Sequence, residues 1–113
     1  MKSKIVALSK NEDFKSLLKK KKISNKYVTI FFGNIIRKNN QKLNISFVTK
    51  KKIGNAVKRN KIKRRLKNIM NEAVKKISLK YHYSYLVIAK STVLNNEFKI
   101  IKKTLFQDFK KIK

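Results

Sequence analysis

The longest regular pattern of apolar positions lies in the middle of the chain. Ile62, Leu66, Ile69, Ala73 and Ile77 follow one another at spacings of four, three, four and four. That is a single apolar stripe on an α-helix. Asn55 stands where an N-cap belongs, because its side-chain oxygen can accept from an N–H of the first turn. The pattern predicts a helix entered after a turn at Gly54 and running to about Leu79. At about 100° per residue, Asn60, Arg64, Lys67 and Asn71 gather opposite the stripe. Arg59 and Lys63 border it on one side and Arg65 on the other.

Shorter patterns flank this helix. Residues 9 to 20 (SKNEDFKSLLKK) place Phe14, Leu17 and Leu18 on one helical face. Asn11 can start that helix, or Ser9 with Glu12 as a capping box. Glu12 and Asp13 then sit in the first turn, where the helix dipole favours acids. In YVTIFF, Tyr27, Thr29 and Phe31 alternate with Val28, Ile30 and Phe32, which fits a strand apolar on both faces. The polar run from Arg37 to Lys42 predicts a turn, and Leu43 to Thr49 predicts the next strand. A hairpin is the simplest connection between these two strands. Tyr85 to Ala89 forms a further apolar strand. Asn95 or Asn96 then caps a helix through Lys111, with Phe98, Ile101, Leu105, Phe109 and Ile112 on its inner side.

The expected class is α/β, an α+β sandwich. It has a small mixed sheet of about four strands and elements in the order α-β-β-(β)-α-β-α, the bracketed strand being a short one near Ile23. Two strands joined by the central helix make a βαβ unit with parallel pairing. The default crossover hand is right, in about 98% of cases. No repeat, proline or glycine-rich linker marks a boundary, so residues 1–113 read as one domain.

Charge narrows the function. The chain carries 32 basic and 5 acidic residues, a formal net charge of +27. Self-repulsion of that size opposes compaction, and a polyanion such as nucleic acid relieves it. Of the basic residues 28 are Lys and 4 are Arg, a bias that an AT-rich genome would produce. With no cysteine, disulfides and thiolate metal sites are excluded. No apolar run approaches the ~20 residues of a membrane span. The N-terminus lacks a signal-peptide core. A cytoplasmic protein with no membrane partner is expected.

The residues favour holding RNA over cleaving it. Glu12, Asp13, Glu72, Glu97 and Asp108 are scattered, and His82 is the sole histidine. Neither a metal-holding carboxylate cluster nor an acid–base pair is evident, so no catalytic residue and no metal ligand is assigned. A helix N-terminus at Gly54–Asn55, beside Lys51 and Lys52, suits phosphate. Lysine and arginine neutralise phosphates without choosing sequence. Asn60 both donates and accepts. Phe14 and one of Tyr27, Phe31 or Phe32 are candidates to stack on unpaired bases.

The run KKKIGNAVKRNKIKRRLK, residues 50 to 67, closely resembles the signature helix of the bacterial ribonuclease P protein component, a motif named for its Arg-Asn-Arg core. The matching residues are Lys51, Lys52, Gly54, Asn55, Ala56, Val57, Arg59, Asn60, Lys63, Arg64 and Lys67. KNEDF at residues 10 to 14 and the LVIAK strand also sit where that family places them, so the resemblance covers nearly the whole chain. It implies a left-handed βαβ crossover. It also implies that a large RNA, with bound Mg, removes the 5′ leader from precursor tRNA, and that the protein is a subunit of that ribonucleoprotein. Lys50, Lys51, Lys52, Asn55, Arg59, Asn60, Lys63, Arg64 and Lys67 would face the catalytic RNA. A cleft between the first helix and the sheet would take the single-stranded leader, with Phe14, Leu18, Tyr27 and Phe31 as its candidates. Leu18 stands where many relatives carry a second Phe. The implied assembly is a monomeric protein in a 1:1 complex with RNA. A small ribosomal or other RNA-binding protein is the alternative, and a DNA-binding module using residues 55 to 79 is a third reading.

Overall fold

A computed structural model describes residues 5–7, 11–34 and 42–112. The elements are β1 (Ile5–Val6), α1 (Asn11–Leu18), β2 (Lys21–Ser24), β3 (Val28–Gly33), β4 (Leu43–Val48), a 3-10 turn (Lys51–Ile53), α2 (Ala56–Lys76), β5 (Ser84–Ala89), α3 (Thr92–Asn95) and α4 (Phe98–Lys111). The strands form one five-stranded sheet in the order β1-β4-β5-β3-β2. The α+β class is as the sequence predicts. The sheet is one strand larger than its four, because β1 pairs parallel with β4 through only two residues, too short to leave a pattern.

The expected hairpin between β3 and β4 does not form. β5 lies between them, antiparallel to β3 and parallel to β4. Its side chains Tyr85, Leu86, Val87 and Ala89 are buried, as a central strand covered on both faces requires. The hairpin that does form joins β2 to β3. Asn25 makes its turn: Oδ1 accepts from the N–H of Tyr27 at 2.7 Å and of Val28 at 2.9 Å. Its Nδ2 donates to Asp108 Oδ2 at 2.7 Å, which ties this turn to α4. Residues 35–41, most of the expected polar turn, and Ser9 of the expected capping box lie outside the described residues.

The pairings divide the side chains between two faces. Val28, Ile30, Phe32, Leu43, Ile45, Tyr85, Val87 and Ala89 join Ile62, Leu66, Ile69, Met70 and Ala73 of α2 and Ile101, Leu105 and Phe109 of α4 in the larger core. The α2 stripe packs as its spacing predicts, with Met70 added. The helix stops at Lys76, three residues short of Leu79, with Ile77 as its C-cap. On the opposite face, Leu17 of α1 and Leu86 form a second, smaller core, flanked by half-buried Phe14, Phe31, Val48 and Ile88. An eight-residue helix is too short to cover five strands, so this face stays partly open.

The C-terminal helix starts later than predicted. Asn95 ends α3, and Asn96 uses its Nδ2 to donate to Thr92 O at 2.7 Å. Glu97 occupies the N-cap of α4 without a side-chain capping bond. Arg65, at the border of the α2 stripe, reaches this junction and donates to the Val93 and Asn96 carbonyls.

Candidate nucleic-acid interface

The basic triplet leads directly into α2. Ile53 N–H donates to Lys50 O at 3.0 Å and Gly54 N–H to Lys51 O at 3.2 Å, which closes the 3-10 turn. The chain then reverses at Gly54, whose φ of 156° and ψ of −167° belong to a region that only glycine occupies readily. A Cβ there would also approach Lys58 Cδ to 2.9 Å. Asn55 caps α2 as predicted, its Oδ1 accepting from Lys58 N–H at 3.0 Å. Two short devices thus set three lysines beside the positive end of a 21-residue helix dipole.

Beyond the cap, α2 turns a polar side outward. Asn60, Lys63, Arg64 and Lys67 are exposed, as are Lys50, Lys51, Lys52 and Asn55. Val57, Asn60, Lys63 and Arg64 line one shallow depression of about 410 Å³. Lys63 therefore faces outward with Asn60 and Arg64, further from the stripe than its expected border position. Arg59 is half-buried, and its Nε finds no acceptor among the described residues. Val57 is 74% exposed, an apolar contact surface amid the cations.

The partly open sheet face supplies a second surface. Register puts Lys22, Phe31 and Leu86 in one row across β2, β3 and β5. Thr29, Ile88 and Val48 form the next row, across β3, β5 and β4. Phe14 of α1 walls this floor. Lys22 Nζ lies 5.9 Å from the centroid of the Phe31 ring, so a cation already rests over one aromatic face. Of the candidate cleft residues, Phe14 and Phe31 meet here. Tyr27 does not: it is 4% exposed and packs in the larger core. Leu18 is 49% exposed and belongs to neither core cluster.

The two surfaces meet. Thr29, Ile88, Lys90 and Ser91 face Lys50, Lys52 and Ile53 across a cavity of about 400 Å³. Lys90 is fixed in place, its Nζ donating to Asn25 O at 2.5 Å and to Ser24 Oγ at 3.1 Å. Thr29, Val48, Ile88 and Lys90 are site residues that sequence reasoning misses. Period-2 alternation puts Ile88 with Leu86, but only the β3–β5 register brings both beside Phe31.

Among the described residues no three His, Asp or Glu side chains gather where they could hold a metal ion. No helix among them is long and apolar enough to cross a membrane.

The whole described chain has counterparts. The family model for ribonuclease P matches residues 3–113. The ribonuclease P protein component of Bacillus pumilus (strain SAFR-032) is 35% identical over 105 residues, 92% of this chain and 85% of that one. That of Carboxydothermus hydrogenoformans is 32% identical over 111 residues, 94% and 90% of the two chains. Among solved structures, the RNase P protein from Thermotoga maritima superposes with a TM-score of 0.79 at 21% identity, over 96% of this chain and 98% of that one, a likeness of fold. The Staphylococcus aureus RNase P protein gives a TM-score of 0.68 at 29% identity, over 94% and 93%. With a family model spanning nearly every residue and relatives above 30% identity along most of its length, this chain belongs to the ribonuclease P protein family, the protein component of an RNA-based endoribonuclease.

Proposed function

We propose that this chain binds the catalytic RNA of ribonuclease P through the start of α2, and the single-stranded 5′ leader of precursor tRNA through the open sheet face. It thereby assists Mg-dependent endonucleolytic maturation of the tRNA 5′ end. The magnesium belongs to the RNA, which carries the bond-breaking. The observation that carries this reading is the junction at Lys50 and Lys52. These lysines line the cavity that opens onto the sheet face and also precede the Asn55 cap of α2. One RNA held on each surface would come together there.

The division of work follows from the side chains. Lys50, Lys51, Lys52, Lys63, Arg64 and Lys67 neutralise phosphates and release counterions, which gives affinity without base choice. Asn55 keeps the helix end in shape, and Asn60 offers a donor and an acceptor to a fixed RNA edge. Phe14 and Phe31 present π-faces to unpaired leader bases, a sequence-tolerant contact. Added positive charge beside the cleavage site lowers the magnesium concentration that the RNA needs.

The test is reconstitution. The protein is added to its cognate catalytic RNA at low magnesium, and 5′ cleavage of precursor tRNA is followed. A rate gain over the RNA alone is expected; no gain overturns the reading. Arg59→Ala with Arg64→Ala should weaken assembly with the catalytic RNA, and unchanged binding would remove the role given to α2.

A further inference from the structure

We propose that the concavity where the C-terminal ends of α2 and α4 meet is a second docking site for the backbone of the same catalytic RNA, an inference that rests on the function proposed above. Lys76, Ile77, Ser78, Lys80, Lys110 and Ile112 line it, around a volume of about 500 Å³. Recognised ligand pockets span about 300–1,000 Å³. Its floor is rigid: Ile112 is buried, and Ile77 packs against the larger core. Its rim is three exposed lysines from three different segments.

Lysines at helix ends have an ordinary explanation, since they balance the negative end of the dipole. Lys75 and Lys76 on α2 and Lys110 and Lys111 on α4 would serve that purpose alone. Lys80 does not fit it. It lies four residues past the end of α2, in the loop before β5, yet it faces the same hollow. Its backbone is pinned there, because the fully buried Tyr85 donates its hydroxyl to Lys80 O at 2.8 Å. The backbone that carries the third cation is therefore tied to a buried aromatic side chain.

Among the described residues no carboxylate forms an ion pair with these three lysines, and only Glu72 acts on one of them, Lys76, through space. Asp108 is buried and accepts from Asn25 at 2.7 Å, with Lys111 at 3.9 Å. Glu72 is engaged by Lys102 at 3.0 Å. Glu97 sits at the other end of α4, and Glu12 and Asp13 lie on α1. Three like charges spaced around one hollow call for an anion with spaced charges. A ribose–phosphate chain, with one charge per nucleotide, has that form. The hollow lies at the far end of α2 from the lysine triplet at residues 50 to 52, about 30 Å away at ~1.5 Å per residue. An RNA engaging both sites would hold α2 at its two ends and fix its direction, which one contact cannot do.

The test compares the full-length wild type with a Lys76→Gln, Lys80→Gln, Lys110→Gln variant, binding the cognate catalytic RNA across a salt series. Glutamine keeps the stems and removes the charge. Circular dichroism in sulfate verifies that the variant is folded. The slope of log affinity against log salt should fall by about two to three, since each phosphate contact contributes about 0.9. Affinity near 0.1 M salt should fall about tenfold or more. Wild-type binding with an unchanged variant slope overturns the docking site and leaves the proposed function standing. Failure of the wild type to bind the RNA overturns that function itself. A second readout needs no loss of charge. The chain has no cysteine, so Ser78→Cys carries a single tethered cleaving reagent. Discrete cuts in the RNA are expected, and none, beside cuts from a Lys58→Cys control, overturns the proposal.

Discussion

The guanidinium of Arg65 donates from Nη1 to the carbonyl oxygen of Val93 at 2.9 Å. The same nitrogen reaches Asn96 O at 3.2 Å. A helix that presents cations to solvent thus uses one of them inward, to satisfy the carbonyls left unpaired where α3 ends. Charged hydrogen bonds of this kind contribute about 1.5–3 kcal/mol each. The neighbouring Arg64 makes the contrast, being exposed in the depression with Asn60. Arg65→Met is expected to lower stability by about 1–3 kcal/mol in denaturant titrations run in sulfate. Arg64→Ala should change stability by less than about 0.5 kcal/mol and act on RNA affinity instead.

Gly54 offers a test of the turn into α2. Gly54→Ala forces a Cβ into a glycine-only backbone region and against Lys58, at a cost of about 1–3 kcal/mol. The mutant should be less stable and should bind the catalytic RNA more weakly, because the lysine triplet loses its fixed relation to the helix end. Equal melting temperatures would show that the turn adapts freely.

The sheet face should matter only to substrates with a leader. Phe14→Ala and Phe31→Ala are each expected to weaken binding of precursor tRNA to the holoenzyme by about 1–3 kcal/mol, the range for one stacked base. Mature tRNA should bind the variants as it binds the wild type. Tyr27→Phe is the internal control, since that side chain lies in the core.

Burial pushes the Tyr85 hydroxyl well above the ordinary tyrosine range. A raised acid favours the neutral folded form. Its stabilising contribution is complete below the unfolded value of about 10 and is lost as pH rises above it. The stability gap between wild type and Tyr85→Phe should therefore hold from neutral pH to about 10 and narrow beyond it. Comparing the two proteins cancels the simultaneous deprotonation of the lysines, and a gap independent of pH would contradict the assignment.

A net charge of +27 predicts that the isolated protein gains structure when sulfate or phosphate is added at low ionic strength. Circular dichroism at fixed ionic strength, with chloride against sulfate, separates screening from binding. A spectrum indifferent to the anion would exclude the effect.

Local chemistry makes α2 legible in the sequence. A capping Asn55, a glycine before it and an apolar stripe all act within one segment, and each falls where expected except the last stripe residue, Ile77, which lies just past the end of the helix. Sheet order is not legible in the same way, because period-2 alternation says which residues share a face but not which strand lies alongside. For β3 and β4 a simple hairpin is the economical choice, yet β5, arriving some 40 residues later, takes the place between them. The cleft suffers from the same gap. Phe31 and Tyr27 have the same parity in the sequence, yet Tyr27 stands before the strand begins, at the Asn25 turn, and its ring packs into the larger core. Arg65 borders the stripe as expected, but its acceptors lie 28 and 31 residues away, beyond the reach of any local pattern.

The central place of β5 has a consequence for biogenesis. Neither β3 nor β4 can complete its ladder until residues 84 to 89 have been made, by which time three-quarters of these 113 residues are already synthesised. Until then the nascent chain trails its lysines as a loose polycation among ribosomal and messenger RNAs. Ordering of β3 and β4 into one sheet thus waits on the late strand inserted between them.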